Sequence, residues 1–267
     1  MMDYKKPAEV VGLMIETGTY KSKLSPKDLL IRGMLAGSLL GFGTTLSITA
    51  SVQTGMPVIG ALFFPACFVT VILLGFELVT GSFAMLPTAW FDGKVTMPVL
   101  LKNWLYVYLG NMIGGALYAF LYWGAITHFG HGDHTPLSAA IIKLAESKTI
   151  GYMADGPVGG WFTCFTKGIL CNWMVSLGVV MGLTSTSTSG KIMAAWLPIF
   201  IFFAQGFEHC VVNMFVVPAA MLMGADISFG QWFTLNQIPA TIGNIVGGVL
   251  FTALALYLTH GPKKQAH

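Results

Sequence analysis

Apolar residues dominate four long stretches of this chain, near 29–50, 101–127, 161–184 and 235–259. Each is long enough for a helix that crosses a hydrocarbon core of roughly 30 Å. Two further apolar stretches, near 60–89 and 192–223, are interrupted. Residues 60–74 give about 22 Å of helix at 1.5 Å per residue, which falls short of a crossing. Gly75 and Gly81 then bracket Glu77 and Thr80, and a second apolar piece runs on to about Ala89. The other interrupted stretch repeats this order, with Ala194–Gln205, then Gly206-Phe207-Glu208-His209, then a short run to about Met223. Backbone that leaves the helix at membrane depth is tolerated only where protein buries it or where it lines a cavity. The pattern predicts an all-α membrane protein with six transmembrane helices, two of them broken.

The two interruptions belong to a longer repeat. Arg32-Gly33-Met34-Leu35 is followed 135 positions later by Lys167-Gly168-Ile169-Leu170, and Glu77 is followed 131 positions later by Glu208. Asn103 with Gly110-Asn111-Met112-Ile113-Gly114-Gly115 recurs 133 positions later as Asn236 with Gly243-Asn244-Ile245-Val246-Gly247-Gly248. Each half holds three crossings, an odd number, so the second half inserts upside down: an aquaporin-like inverted repeat of 3+3. Glycines at four-residue spacing (Gly33, Gly37 and Gly41; Gly110 and Gly114; Gly178 and Gly182; Gly243 and Gly247) line single helix faces and let backbones approach.

Composition agrees with a membrane solvent: of 267 residues, 55% are hydrophobic and 9% charged, against about a quarter charged in soluble domains. The start is polar, with Lys5 and Lys6 and no cleavable leader. With six crossings both termini share one side, which holds Lys5, Lys6, Lys21, Lys23, Lys27, Arg32, Lys94, Lys102, Lys191, Lys263 and Lys264. The other side has Lys143 and Lys148 in its loops, with Lys167 just inside a helix, so the termini are expected in the cytoplasm of a cell membrane. The net charge of +3 reflects this topology, and no nucleic-acid partner follows from it. The expected organisation is a cytoplasmic segment 1–28, a first repeat 29–127, an exposed periplasmic or extracellular loop 128–160, an inverted repeat 161–259 and a cytoplasmic tail 260–267. Within the first segment Pro7–Tyr20, with Val10, Val11, Met14 and Ile15, reads as a helix lying on the membrane surface.

Several residues carry candidate chemistry. Glu77 and Glu208 are either ligands for a substrate or proton, or braces that hold the broken backbone; their symmetry favours bracing. Asn111 and Asn244 recur in the same way and read as further braces. His209 breaks the symmetry, since its counterpart is Leu78, and an imidazole at such a place can donate or relay a proton. Thr80 offers a hydroxyl at the opposing break. Asn172 lies mid-span, where an amide needs a partner, and either crosslinks helices or faces a pore. Asn213 follows His209 by four residues, on the same helical face. Arg32 and Lys167 are either a pair of cationic vestibules that attract anions or snorkelling side chains. Phe64, Phe68 and Phe202 stand next to the breaks as apolar constrictions or as packing. Cys67, Cys164, Cys171 and Cys210 show no metal-ligand spacing, and His128, His131 and His134 read as solvated loop, so neither metal nor cofactor is expected.

Together these pieces resemble the formate/nitrite transporters. The matching elements are Glu77-Leu78-Val79-Thr80-Gly81, Lys102-Asn103-Trp104, Gly110-Asn111, Leu170-Cys171-Asn172-Trp173, Gly206-Phe207-Glu208-His209 with Asn213-Met214, and Gly243-Asn244. They cover nearly the whole chain and are most similar to the formate-channel branch. The resemblance implies six spans per protomer, a homopentamer and one pore in each protomer. It implies that His209 is the central pore histidine, with Thr80 and Asn172 beside it. Phe64, Phe68, Leu78, Val79, Val175 and Phe202 then line constrictions. Val79 stands where the resemblance leads us to expect phenylalanine.

A physical mechanism accompanies that reading. A bare anion pays several kcal/mol to enter an apolar slit, and a weak monobasic acid avoids that cost by taking up a proton. Small monovalent anions of weak acids, formate first among them, are therefore the expected substrates, together with protons. Nitrite, hydrosulfide, acetate and lactate stay open. An aquaporin-type pore for neutral solutes lacks its paired Asn-Pro-Ala signature here, and an enzyme lacks a nucleophile motif beside His209.

Overall fold

The computed structural model describes residues 3–132 and 135–262, so His134, Lys263 and Lys264 lie outside the described residues. Helices carry almost all of the described chain. A first helix, α1 (Pro7–Ser22), precedes the long α2 (Pro26–Thr54). The first interrupted apolar stretch is α3 (Pro57–Phe63) and α4 (Pro65–Leu73), then α5 (Val79–Phe91). Pro65, which lacks an N–H, divides α3 from α4 while Phe64 between them stays helical (φ −52°, ψ −42°). Next come α6 (Met97–Thr127), α7 (Pro136–Lys148), a 3-10 turn (Ile150–Asp155) and α8 (Gly156–Gly182). The second interrupted apolar stretch is α9 (Thr188–Ala204) and α10 (Cys210–Leu222). The final rod runs through α11 (Phe229–Trp232), α12 (Ile238–Gly248) and α13 (Ala255–His260), joined by π-helical turns at Phe233–Gln237 and Val249–Leu254.

Among the described residues four helical stretches are long and apolar enough to cross a membrane: Pro26–Thr54, Met97–Thr127, Pro136–Gly182 and Phe229–His260. The pieces on either side of the breaks, Pro57–Leu73, Thr188–Ala204 and Cys210–Leu222, are apolar but shorter.

Glycine brings the long helices together in pairs. A Cβ on Gly33 would lie 3.2 Å from the Cα of Gly110, and one on Gly168 would lie 3.1 Å from the Cα of Gly243. Cβ atoms on Gly37 and Gly114 would collide with backbone of Asn111 and Met34 across the α2–α6 contact. The α8–α12 contact is the repeat of this one, with Gly243 against Phe165 and Gly247 against Ile169. Gly178 and Gly182 do not serve it: Gly178 faces Ile199 and Phe68, and Gly182 looks toward Ile72. The glycine that matters on α8 is Gly168, which sits on the face turned to α12.

Two expectations need correction. Residues 128–160 are not a plain exposed loop, because α7 lies within them. The Thr135 hydroxyl accepts from the Ser138 N–H as an N-cap, Pro136 starts the helix, and Ile141 and Ala145 bury one face. Gly, Pro, Asp and His on both flanks masked this short amphipathic run. Second, α1 is not a helix lying on lipid. Val10, Val11, Met14 and Ile15 are buried against Ala84 and Met85 of α5 and Val180 of α8, so protein covers its apolar face. The helix packs closely because Gly18 meets the backbone of Met85.

The chain before α1 is tied to the α8–α9 connection. The Asp3 carboxylate accepts from the N–H groups of Thr186 (2.6 Å) and Ser187 (2.8 Å) and from the hydroxyls of Ser185, Thr186 and Ser187. These hydrogen bonds, that of the Ser185 hydroxyl first, hold the Asp3 carboxyl well below the ordinary carboxylate range. A carboxyl depressed in the folded state contributes stability above its unfolded value of about 3.9, and loses it as pH falls through the lower folded value. Hydrogen-exchange protection at Thr186 and Ser187 should therefore be as strong at pH 4 as at pH 7, and Asp3→Ala should abolish it at both. In the helix pairs, Gly114→Ala should destabilise the protein by about 1–3 kcal/mol through overpacking. Gly12→Ala, where a Cβ meets nothing within 4 Å, should be neutral or slightly stabilising. Thermal unfolding in detergent reads both.

Candidate functional site

Each helix break is closed by the same local chemistry. At the end of α4, Gly75 takes φ +66°, and Gly206 after α9 takes the same value. A side chain would be strained there, so glycine is required. The N–H of Phe76 then bonds the carbonyl of Val71 (3.0 Å) and that of Gly75 bonds Ile72 (3.2 Å). Phe207 with Phe202 (3.3 Å) and Gly206 with Phe203 (3.1 Å) repeat the arrangement. Both are Schellman caps, which satisfy carbonyls left over at a helix end. The glutamate N–H groups reach a neighbouring helix: Glu77 donates to the Arg32 carbonyl and Glu208 to the Lys167 carbonyl, each at 3.3 Å.

An asparagine completes each break. Asn111 Nδ2 donates to the carbonyls of Gly33 (2.8 Å) and Glu77 (2.9 Å), while its Oδ1 accepts from the Val79 N–H (3.0 Å). Asn244 does the same toward Gly168 (2.8 Å), Glu208 (2.8 Å) and the Cys210 N–H (2.9 Å). The glutamate side chains end on lysines. Lys21 Nζ at the end of α1 lies 2.7 Å from Glu77 Oε2, and Lys148 Nζ at the end of α7 lies 3.0 Å from Glu208 Oε1. Asn103 Nδ2 donates to the Lys21 carbonyl (3.0 Å) and Asn236 Nδ2 to the Lys148 carbonyl (2.8 Å). So α7 is the counterpart of α1 in these contacts, and each is a strut tied to its break by an ion pair with a buried glutamate. The second break is more heavily bonded. Glu208 also accepts from the Tyr152 hydroxyl (2.7 Å), Asn213 Nδ2 (2.8 Å) and Asn236 Nδ2 (3.0 Å).

Between the breaks lies one polar pair. Thr80 Oγ1 and His209 Nε2 are 3.2 Å apart and both residues are buried. His209 is the N-cap of α10, and its Nδ1 accepts from the Val212 N–H at 3.2 Å. A proton on Nδ1 would set two N–H groups face to face. These partners place the ring proton on Nε2, which donates to Thr80 and leaves the Thr80 hydroxyl free to donate onward. Phe202 stacks on the imidazole, with ring centroids 5.7 Å apart.

Each break borders a cavity, and Thr80 itself lines neither. One, about 300 Å³, is lined by Lys21, Arg32, Lys191 and Glu77 together with Phe68 and Leu78. The other, about 320 Å³, is lined by Lys148, Phe202, Phe207, His209 and Val212. The structure thus brings together His209, Thr80, Phe68, Leu78 and Phe202. Asn172 joins them through Nδ2, which donates to the Thr80 carbonyl (3.2 Å) and to the Asn244 carbonyl (2.7 Å). Phe64, Val79, Val175 and Asn213 are buried but line neither of these two cavities. Phe64 stacks on Phe203 (3.8 Å between centroids), and Asn213 holds Glu208.

Arg32 and Lys167, read as vestibule cations or as snorkelling side chains, stand in different surroundings. Arg32 lines the first cavity, but Lys167 sits over the Tyr152 ring, 5.2 Å from its centroid, and Lys148 is the cation of the second cavity. Lys167 is repeat-equivalent to Arg32, yet the struts deliver Lys21 and Lys148 deeper. Sequence reading missed these two lysines because they stand 127 positions apart, off the spacing of the other landmarks. Their tethers Asn103 and Asn236 were in plain view. Tyr152 has no matching residue in the first half.

Compared with known proteins, the chain matches the formate/nitrite transporter model over residues 8–258. It belongs to that family. As a formate/nitrite transporter family member it is a multi-pass membrane protein of a channel and transporter class, and not an enzyme. It is 35% identical to an uncharacterized transporter of Bacillus subtilis, over 99% of this chain and 97% of that protein. It is 31% identical to a formate channel of Haemophilus influenzae, over 91% of this chain and 90% of that one. A solved pentameric formate channel with formate bound shares the fold with a TM-score of 0.72 at 25% identity, covering 87% of this chain and 96% of that chain.

The asparagine braces give a direct test in this family member. Asn244→Asp keeps the shape but turns a carboxylate oxygen toward the carbonyls of Gly168 and Glu208. Each buried group left without its partner costs about 1–3 kcal/mol. Asn244→Asp should therefore lower the thermal midpoint at least as much as Asn244→Ala, measured by unfolding in detergent, and Asn111→Asp should behave alike.

Proposed function

We propose that this chain forms a channel or transporter for small monovalent anions of weak acids, formate foremost, with permeation linked to a proton at His209. The observation that carries this reading is the Thr80–His209 pair, 3.2 Å apart, which joins two breaks that each border a cavity with lysine in its wall. Six crossings, two of them broken, assemble each pore, and five protomers assemble the protein in a cell membrane with both termini in the cytoplasm. The formate channels among its relatives and the pentameric neighbour support the substrate and the assembly.

The division of labour follows from charge and solvation. Lys21, Arg32 and Lys191 draw an anion into one cavity and Lys148 draws it into the other, each by a field that salt weakens. Phe68, Leu78 and Phe202 form apolar walls where an ion is costly and a neutral acid is not. The Nε2 proton of His209 polarises the Thr80 hydroxyl, which donates to the permeant as it leaves water. The permeant takes up a proton from water in the entry cavity, while the Thr80–His209 pair hydrogen-bonds it, and returns that proton to water on exit.

The test is flux into proteoliposomes, with formate, nitrite, hydrosulfide and lactate side by side. Formate uptake should rise several-fold for each unit by which external pH falls between 7 and 5. Thr80→Val, which removes only the hydroxyl, should reduce formate flux about tenfold, and His209→Phe should reduce it further and flatten the pH response. Unchanged flux and unchanged pH response in His209→Phe would refute the assignment.

A further inference from the structure

The short segment before α1 has no helix of its own, yet its backbone is held at every step. Beyond the Asp3 bonds to Ser185, Thr186 and Ser187, Tyr4 pairs with Ser185 in an antiparallel bridge. The Lys5 N–H then donates to the Thr184 carbonyl at 2.8 Å. Three consecutive residues are thus fixed along the end of α8, and two of them, Tyr4 and Lys5, form one wall of a further cavity.

That cavity, about 200 Å³, lies between this segment, α1, the end of α8 and α13, and shares no residue with the two at the breaks. Val10, Val180 and Leu256 give it apolar walls, while Lys5, Thr184 and His260 make it polar. The charge around it is one-sided. Among the described residues the two ion pairs are Lys21–Glu77 and Lys148–Glu208, so neither Lys5 nor Lys6 has an acidic partner. The neighbouring acids are engaged elsewhere: Asp3 with residues 185–187, Glu9 with the Lys6 N–H (2.8 Å) and Asp92 with the Tyr257 hydroxyl (3.3 Å). Lys263 and Lys264 follow His260 in the sequence. His260 also ends a helical stretch long and apolar enough to cross a membrane, which sets the cavity where hydrocarbon gives way to headgroups.

We propose that this cavity binds the headgroup of an anionic phospholipid, and that the Asp3 tether holds the site preformed. Lys5 and His260 face the phosphate, and the first carbons of the lipid lie against Val10, Val180 and Leu256. Basic pockets between helices at the membrane surface select anionic headgroups through short-range fields. An apolar wall beside the charge favours an amphiphile over a free oxyanion, which has nothing to place against it. A wall already ordered in the empty protein also spares binding the cost of ordering it.

The experiment titrates the full chain in maltoside detergent with dioctanoyl phosphatidylglycerol and follows the thermal midpoint, which rises as lipid binds the folded state. Half-saturation should need about fivefold less of this lipid than of dioctanoyl phosphatidylcholine. No saturable rise, or the same curve for both lipids, would overturn the inference. Lys5→Gln combined with His260→Gln should weaken phosphatidylglycerol binding about fivefold. Lys23→Gln with Lys27→Gln, at exposed positions off the cavity, should leave it within about twofold, since their fields are screened at that distance. Equal weakening by both pairs means diffuse attraction to a basic face, and the site falls. Asp3→Ala separates the two cases by sign. It makes the protein more positive, so diffuse attraction would tighten binding, whereas loss of the preformed wall should weaken it about threefold. Tighter binding in Asp3→Ala refutes the tethered site. Inorganic phosphate at matched concentration should not displace the lipid; full displacement would make this a free-oxyanion site and overturn the assignment to phospholipid.

Discussion

The whole arrangement depends on satisfying backbone that leaves the helix in a place where water is scarce. A helix that stops inside a membrane protein exposes N–H and C=O groups, each of which is costly if unpaired. Here a glycine at positive φ turns the chain, a Schellman cap recovers two carbonyls, and an asparagine from the next long helix supplies three further bonds. The asparagine reaches only because glycines let α2 meet α6 and α8 meet α12 at backbone contact. Helix packing and loop geometry are one constraint in this protein. Loosening either contact withdraws the brace from the break.

On that scaffold the two halves differ at the breaks themselves. Leu78 and His209 are both N-caps in extended conformation, but only the histidine offers a ring nitrogen to its helix. Glu77 keeps a single lysine partner, whereas Glu208 is held by Lys148, Tyr152, Asn213 and Asn236. The heavier bonding fixes the backbone that carries His209. His209, which the proposed mechanism sets against the permeant, is thus mounted on the more heavily bonded of the two breaks.

Much of this was legible in the residues. Gly-Phe-Glu and the distant asparagines repeat because each position answers a fixed backbone need, so the spacing survived in both halves. The His209 and Thr80 pairing followed from the mismatch between the copies. Less was legible where identity tracks tertiary contact. Lys148 looked like one more loop cation, since nothing local says that α7 turns it inward. Lys167 matched Arg32 and was open between a vestibule charge and a snorkelling side chain; that its ammonium group lies over an aromatic ring was not legible. Asn213 shared a helical face with His209 in the sequence, and a glutamate five residues earlier claimed it. Val175 and Phe64 are apolar in an apolar chain, and no pattern separates a pore wall from ordinary packing.

The struts also bear on how the protein is made. Lys21 leaves the ribosome 56 residues ahead of its partner Glu77, and the backbone that receives Gly18 belongs to Met85, later still. Lys148 likewise precedes Glu208, and α7 packs on α10, which follows it. The most extensive contact of each strut, α1 with α5 and α7 with α10, is with a helix synthesised after it. In each half the earliest helix to be synthesised is thus among the last to lock, and a lysine–glutamate bond marks the completion of that half.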